Sequence, residues 1–217
     1  MNLEQARSNM VEQQIRTWEV LDQEVLDLLY VVPREEFVPE KHRALAFSDL
    51  EIPIGDGERM WQPKMEARVL QELGVRRTDR VLEVGTGSGY LSALLAHRAA
   101  QVCSVEIKPG LAELGRGNLE RHGSENVTLE LGDAARGWPR HAPYDVIVLT
   151  GSTPVLPRAL LEQLAPGGRL FAVVGEAPIM AARLVECGAA HALHDTILFE
   201  TVIAPLVNCE QLPRFRF

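Results

Sequence analysis

The chain is poor in the residues that mark several common protein classes. Aromatics make up only 6% of its 217 residues, and cysteine appears three times, at Cys103, Cys187 and Cys209. Three thiols cannot all pair and none forms a Cys-x-x-Cys unit, which argues against a disulfide framework, a dithiol redox site and a cysteine-rich zinc site; reduced thiols are expected. Long hydrophobic runs are missing too. Apolar stretches such as "LFAVV" near residue 170 fall far short of the roughly 20 residues that cross a bilayer. The opening "MNLEQARSNMVEQQIR" has no apolar centre of the kind a secretory signal carries, so the expected location is the cytoplasm, with no membrane partner. Positive charge is scarce: 22 Lys and Arg stand against 30 Asp and Glu, a net charge of −8. That leaves no basic footprint for a phosphate backbone, and no nucleic-acid partner is expected.

What is present supports a sizeable core. With 46% hydrophobic residues the chain fits one domain with an appended subdomain. Leu3, Met10, Val11, Ile15 and Trp18 recur at roughly helical spacing, and "DQEVLDLLYVV" repeats the pattern behind Asp22, so two amphipathic helices are predicted. Residues 32–63 then hold four prolines and two glycines, which predicts looped or extended chain. Pro63 suits a first helical position and Gly74 is placed to end that helix. From Arg80 the pattern changes. Strands are predicted at "RVLEVG", "QVCSVEI", "NVTLELGD", "YDVIVLT" and "GRLFAVVG", with helices near residues 89–99, 109–122 and 155–164 between them. Such alternation implies an α/β fold, a doubly wound, mostly parallel sheet with right-handed crossovers. The stretch "IMAARLVECGAAHALHDTILFETVIAPLV" breaks at Gly-Ala-Ala between two apolar runs and is expected as a closing antiparallel pair, the first run also admitting a helix.

The chemistry gathers at "VLEVGTGSGY", residues 81–90. A P-loop needs Gly-Lys-Ser/Thr to neutralise phosphates and hold magnesium, whereas Gly89 precedes Tyr90. A dinucleotide fingerprint reads G-x-G-x-x-G, whereas Gly85, Gly87 and Gly89 give G-x-G-x-G with Glu83 just ahead. Glu106 stands near the end of the second strand, where an acid binds ribose hydroxyls, and Asp133 stands at the edge of the third. Asp133 is placed to accept from an adenine amino group and Glu83 to sit near an ammonium. Adenosine, a free ribose and an amino-acid tail together describe S-adenosylmethionine (SAM). Singly, each of these residues reads equally well as a turn glycine, a loop cap or a solvated strand end.

The sequence resembles the protein-L-isoaspartate O-methyltransferases. The resemblance runs to about residue 175 and rests on "MVEQQIR", "VPREEFVP", "IPIGDG", Gln62-Pro63, "RVLEVGTGSGY", "VEI", "GD", "YDVIV", Leu156-Pro157 and "PGGRLFAVVG"; later, "IAPL" is similar to the family's closing Phe-Val-Pro-Leu strand. It implies a Rossmann-like, seven-stranded methyltransferase sheet, with residues 1–76 as helical extension and acceptor loop and residues 77–217 as the SAM-binding core. It also implies methyl transfer from SAM, leaving S-adenosylhomocysteine, to a side-chain carboxylate of damaged aspartyl residues in a protein or peptide. The cofactor residues would be Glu83, Gly85, Thr86, Gly87, Gly89, Glu106, Ile107, Gly132, Asp133 and Ala134.

One loop departs from that pattern. Members usually read Gly-Gln-Thr-Ile-Ser-Gln-Pro or similar, with the serine at the methyl-accepting site, and this chain reads "GERMWQP". Arg59 therefore replaces threonine and Trp61 replaces serine, beside Gln62 and Pro63, which keep the frame; these four are the candidate acceptor residues. "GDA" and "LTGSTP" are further departures. Trp61 has one donor and no acceptor. It reads either as a lid aromatic packed on the N-terminal helices or as a wall of a reshaped acceptor pocket. Arg59 reads first as a solvated charge and second as a clamp for an anion. Two functions follow: an isoaspartyl-type carboxyl methyltransferase, or a SAM-binding member with altered acceptor or no turnover. No metal is expected, since Cys187, His191 and His194 lack a fourth ligand and read as packing. The terminal "RFRF" reads as an untethered tail.

Overall fold

In the computed structural model, which describes residues 2–211, the N-terminal apolar stripe forms one continuous helical run. Helix α1 (Leu3–Met10) continues through a π turn at Val11–Ile15 and a 3-10 turn at Arg16–Trp18. Met10, Val11 and Ile15 are buried as their spacing requires, whereas Leu3 is exposed and Trp18 only partly covered. Helix α2 (Gln23–Val31) is capped by the Asp22 carboxylate, which accepts from the N–H groups of Glu24 and Val25. Helix α3 (Pro63–Leu73) starts on Pro63 and stops on Gly74, which adopts a left-handed φ of 49°.

The proline-rich stretch is more ordered than its composition suggests. Besides 3-10 turns at Arg34–Glu36 and Glu40–Leu45, it contains a hairpin of strands β1 (Ile52–Gly55) and β2 (Glu58–Met60). The physical reason is the tip: Gly55, Asp56 and Gly57 all take positive φ, which reverses the chain tightly enough for two short strands to pair. Ile52 and Ile54 then alternate inward past Pro53.

The alternating segment forms β3 (Arg80–Val84), α4 (Tyr90–Arg98), β4 (Gln101–Glu106), α5 (Pro109–His122), β5 (Val127–Leu131), β6 (Tyr144–Leu149), α6 (Arg158–Leu161), β7 (Leu164–Glu176), β8 (Ile179–Cys187) and β9 (Leu193–Glu200). The seven-stranded sheet runs β5-β4-β3-β6-β7-β8-β9, parallel from β5 to β7 and antiparallel thereafter. The run "IMAARLVEC" is thus a strand, and the closing pair forms as expected. Helix α6 is a single turn rather than a helix over 155–164, because Pro157 sets its start and the chain has entered β7 by Leu164. "IAPL" forms only an isolated bridge between Pro205 and Ser152 rather than a strand. The "RFRF" tail lies outside the described residues.

Alternation along the strands splits the core into two. Leu82, Val84, Ile147, Leu149 and Leu170 pack on one face of the sheet; Val81, Val102, Val146, Val148 and Phe171 face the other, where they share one cluster with Met10, Ile15, Leu26, Leu29 and Leu70 of the N-terminal helices. Strand order reverses beside β3, so the crevice at its carboxyl end is where this architecture accommodates ligands.

Candidate functional site

The turn after β3 needs its glycines. Gly85 has φ 99°, and a Cβ there would lie 2.1 Å from Thr150 Oγ1, which donates to the carbonyls of Val84 and Gly85. Gly89, at φ 82°, precedes α4, and a Cβ on it would meet the Gly115 carbonyl at 3.1 Å. Between them the Gly87 N–H donates to Glu106 Oε2 at 2.9 Å. The Lys108 N–H donates to Glu106 Oε1 at 3.0 Å, so this buried carboxylate is fixed by backbone at both oxygens.

Glu83 is more deeply placed. It is fully buried, and its Oε2 accepts from the hydroxyls of Ser92 and Ser104. Its Oε1 has no partner among the described residues. Burial pushes its pKa up to about 7; the hydroxyls of Ser104 and Ser92 pull the other way and the neighbouring Glu106 adds to the rise.

These groups open into one cavity. Glu83, Gly85, Thr86, Gly87, Glu106 and Ile107 line it on the sheet side, and Arg59, Met60 and Trp61 line it on the hairpin side. Gln62 and Pro63 are not on its wall; they open α3, with Gln62 in the capping position. Gly132, Asp133 and Ala134 are not on the wall either. Asp133 is exposed and accepts from the Ala135 N–H and the Asn208 side-chain amide, Ala134 is buried against the other sheet face, and Gly132 abuts the Trp138 ring. Residues 204–207 close this part of the cavity instead, held where Ser152 exchanges backbone bonds with Ala204 and Leu206. Only the similarity of "IAPL" to a family segment hinted at this wall.

The indole of Trp61 is 8% exposed, with its ring centroid 6.5 Å from that of Phe171 on β7. It faces Phe171 of the sheet, belongs to the buried cluster that the N-terminal helices share, and is also on the cavity wall, so the two readings of this residue do not exclude each other. Its carbonyl accepts from Arg34, a fully buried residue that also donates to the Ala46 carbonyl, pairs with the buried Glu66 and lies over the Tyr90 ring. Arg34 and Glu66 were not singled out in the sequence; the signal was the "VPREEFVP" string that contains Arg34. Arg59 is exposed at the cavity, and its guanidinium has no hydrogen bond or ion pair among the described residues.

Metal-type clusters lie elsewhere. Among the described residues Cys103, Glu130 and His141 bring ligand atoms within 4.8 Å of one another, but Glu130 already accepts from Arg140 and Trp138 and contacts His141. Cys187 contacts His191 at 3.5 Å, without His194.

A family model described as protein-L-isoaspartate(D-aspartate) O-methyltransferase (PCMT) matches residues 5–211. The protein-L-isoaspartate O-methyltransferase of Methanoculleus marisnigri is 46% identical over 169 residues, spanning 78% of this chain and 77% of its own length. The protein-L-isoaspartate O-methyltransferase 1 of Rhodopseudomonas palustris (strain HaA2) is 42% identical over 211 residues, 97% of this chain and 81% of that protein. A solved protein-L-isoaspartate O-methyltransferase superposes with a TM-score of 0.81 at 27% identity, over 93% of this chain and 66% of that one. A Plasmodium falciparum protein described as a putative member and solved with S-adenosyl-L-homocysteine gives a TM-score of 0.80 over 95% of this chain and 99% of that one; at 19% identity it shows likeness of fold.

Proposed function

Because the chain belongs to the protein-L-isoaspartate O-methyltransferase family, SAM-dependent enzymes that methylate damaged aspartyl residues in proteins, we propose that its cofactor lies along Glu83, the glycine turn and Glu106, and that its acceptor enters past Arg59 and Trp61. The observation that carries the reading is Glu83 Oε1, a buried carboxylate oxygen without a partner among the described residues, in a residue that lines the cavity. A buried anion without a partner is costly, and an ammonium supplies the missing charge. Glu106 spends one lone pair of each oxygen on a backbone N–H, so each oxygen retains one for a ribose hydroxyl. Gly85, Thr86 and Gly87 form the wall of the turn and Ile107 supplies an apolar wall, while Gly89, off the wall, lets the turn enter α4 close against Gly115. Asp133, flanked by Gly132 and Ala134, lies off the cavity wall just past β5; it is the candidate for the adenine amino because its exposed carboxylate keeps free lone pairs beside the bonds from Ala135 and Asn208.

SAM supplies a methyl group on a sulfonium. The acceptor carboxylate has a pKa of about 4 and is ionised at neutral pH, so the chain needs no general base. Its task is alignment, which can lower a barrier by roughly 7 to 11 kcal/mol. The Arg59 guanidinium, free of partners among the described residues, is available to hold an anionic acceptor, while Gln62 and Pro63 set where the loop turns into α3. In this reading residues 1–76 form the extension and acceptor loop and residues 77–217 the cofactor core. Three free, buried thiols support a reducing compartment such as the cytoplasm, and among the described residues no helix is long and apolar enough to cross a membrane.

A second reading rests on Trp61. A large buried side chain on the cavity wall, in place of the family serine, favours an altered acceptor or lost turnover. Labelled SAM offered with an isoaspartyl peptide and its normal aspartyl twin separates the two. Transfer to the isoaspartyl peptide alone is expected; no transfer to either, with cofactor binding intact, selects the second reading.

A further inference from the structure

We propose that Lys108 is a positioning residue that fastens the acceptor hairpin to the cofactor side of the cavity. The inference rests on the assignment of β1–β2 to the acceptor and of Glu106 to the cofactor. Lys108 stands at the junction of β4 and α5, and its two ends do different work. Its backbone N–H donates to Glu106 Oε1, and its Nζ donates to the Asp56 carbonyl at 2.7 Å and pairs with the Glu58 carboxylate. One residue thus holds the carboxylate of the cofactor site and the tip of the hairpin.

Ile52, Ile54 and Met60 tie the hairpin to the core, but its exposed tip, Gly55–Gly57, has no such packing and needs a hold of its own. The hairpin forms its own two-stranded sheet, separate from the seven-stranded one, and an isolated pair of this kind is marginal in water. Its tip rests on the first turn of α5: a Cβ on Gly110 would lie 2.8 Å from Asp56 Oδ2, so the Asp56 side chain sits directly against the helix there. The Asp56 carboxylate at that position also faces the positive end of a 14-residue helix. On the inner side, Ile54 Cδ1 lies 3.1 Å from the Cβ position of Gly87, so the hairpin touches the glycine turn itself. Strand β2 then delivers Arg59 and Met60, followed by Trp61, to the cavity.

The latch is built to release. The side chains of Lys108 and Glu58 keep 27% and 33% of their exposure, so water can replace either partner. A buried pair would hold the hairpin shut; no pair would leave Arg59 and Trp61 without a set distance to Glu106.

The test uses Lys108→Met, which keeps the aliphatic stem, and Lys108→Arg, which keeps the charge. Amide hydrogen exchange over residues 54–60 is expected to quicken roughly ten-fold in Lys108→Met, the loss of a hydrogen bond to a charged group, and to stay near wild type in Lys108→Arg. The KM for isoaspartyl peptide should rise several-fold, with kcat and S-adenosylhomocysteine affinity changed far less. Glu58→Gln, a milder cut at the same latch, should quicken exchange by a smaller factor. Unchanged exchange in Lys108→Met overturns the proposal, as does a loss of S-adenosylhomocysteine affinity matching the rise in KM, which would make Lys108 a cofactor group. Should the wild type transfer no methyl to peptide, the acceptor assignment fails while the exchange result still decides the latch.

Discussion

At the scale of a single residue, the proposed acceptor reading turns on Trp61. The indole is packed on Phe171 and walls the cavity, so removing it both opens space and loosens the loop. Truncating a packed tryptophan costs about 3 to 5 kcal/mol, and the fair comparison is the double change of Arg59 to Thr and Trp61 to Ser, with folding checked by thermal melt. Transfer to isoaspartyl peptide is expected to rise in the double variant while S-adenosylhomocysteine affinity holds. A fall in transfer, in a folded protein, would make Trp61 a working wall of the site. Glu83 governs pH dependence. With its carboxyl raised by burial to about 7 from an ordinary 4.5, the folded protein keeps a proton that the unfolded chain releases between those values. The contribution of Glu83 to stability therefore falls as pH rises from about 4.5 to 7 and levels off above, on the order of 3 kcal/mol in all. Glu83→Gln should abolish that slope in denaturant titrations at pH 5 and pH 8. Cofactor binding runs the other way, since an ammonium needs the ionised carboxylate. Calorimetry of the wild type should show affinity for S-adenosylhomocysteine rising between pH 6 and 7.5, and a flat profile would remove Glu83 from the amino-acid end of the ligand.

At the scale of elements, the buried Arg34 ties three segments into one unit. The guanidinium donates to the Ala46 and Trp61 carbonyls and pairs with Glu66 on α3, under the Tyr90 ring at the start of α4. Arg34→Ala leaves Glu66 buried without its partner, which is expected to cost about 3 to 5 kcal/mol. Arg34→Lys should recover little, because one ammonium on a flexible stem cannot reproduce a planar fork with three acceptors. Urea titrations measure both, and Arg34→Ala combined with Glu66→Gln should regain part of the loss. If Arg34→Ala unfolds at the wild-type midpoint, the loop is held by apolar packing alone and the arginine is incidental. The hairpin carries no ion pair buried to this degree; it is held by the core packing of Ile52, Ile54 and Met60 and, at its rim, by the partly exposed Lys108–Glu58 pair.

At the scale of the whole molecule, the cofactor should act as a stabiliser, because its cavity is assembled from the sheet edge, the hairpin and residues 204–207 together. A ligand present at 100 times its Kd adds about 2.7 kcal/mol. For a chain of this size that corresponds to a Tm increase of roughly 5 to 10 °C with S-adenosylhomocysteine. NAD at the same concentration should give no shift, since the turn spacing is not the dinucleotide one. A comparable shift with NAD would overturn the identification of the turn. The shared cluster beneath the sheet makes the N-terminal helices part of the same unit, so the melt should be a single transition.

The sequence alone determined whatever depends on neighbours along the chain. Asp22 caps α2, Pro63 opens α3 and Gly74 ends it, because those interactions span at most a turn or two. The strand-helix alternation from Arg80 follows from hydrophobic period and from the glycine run that ends the first of these strands. Tertiary structure alone decided the rest. Arg34 meets Glu66 across 32 residues, Lys108 reaches Asp56 across 52, and Asn208 reaches Asp133 across 75. Composition and spacing carry no record of such approaches. The hairpin was hidden for the same reason: the prolines of residues 32–63 read as loop, and its pairing rests on a three-residue tip that lies against α5. Glu83 was legible as an acid in a motif. Its single unpartnered oxygen became visible only once Ser92 and Ser104 had folded around the other and burial had removed the water that would otherwise have satisfied it.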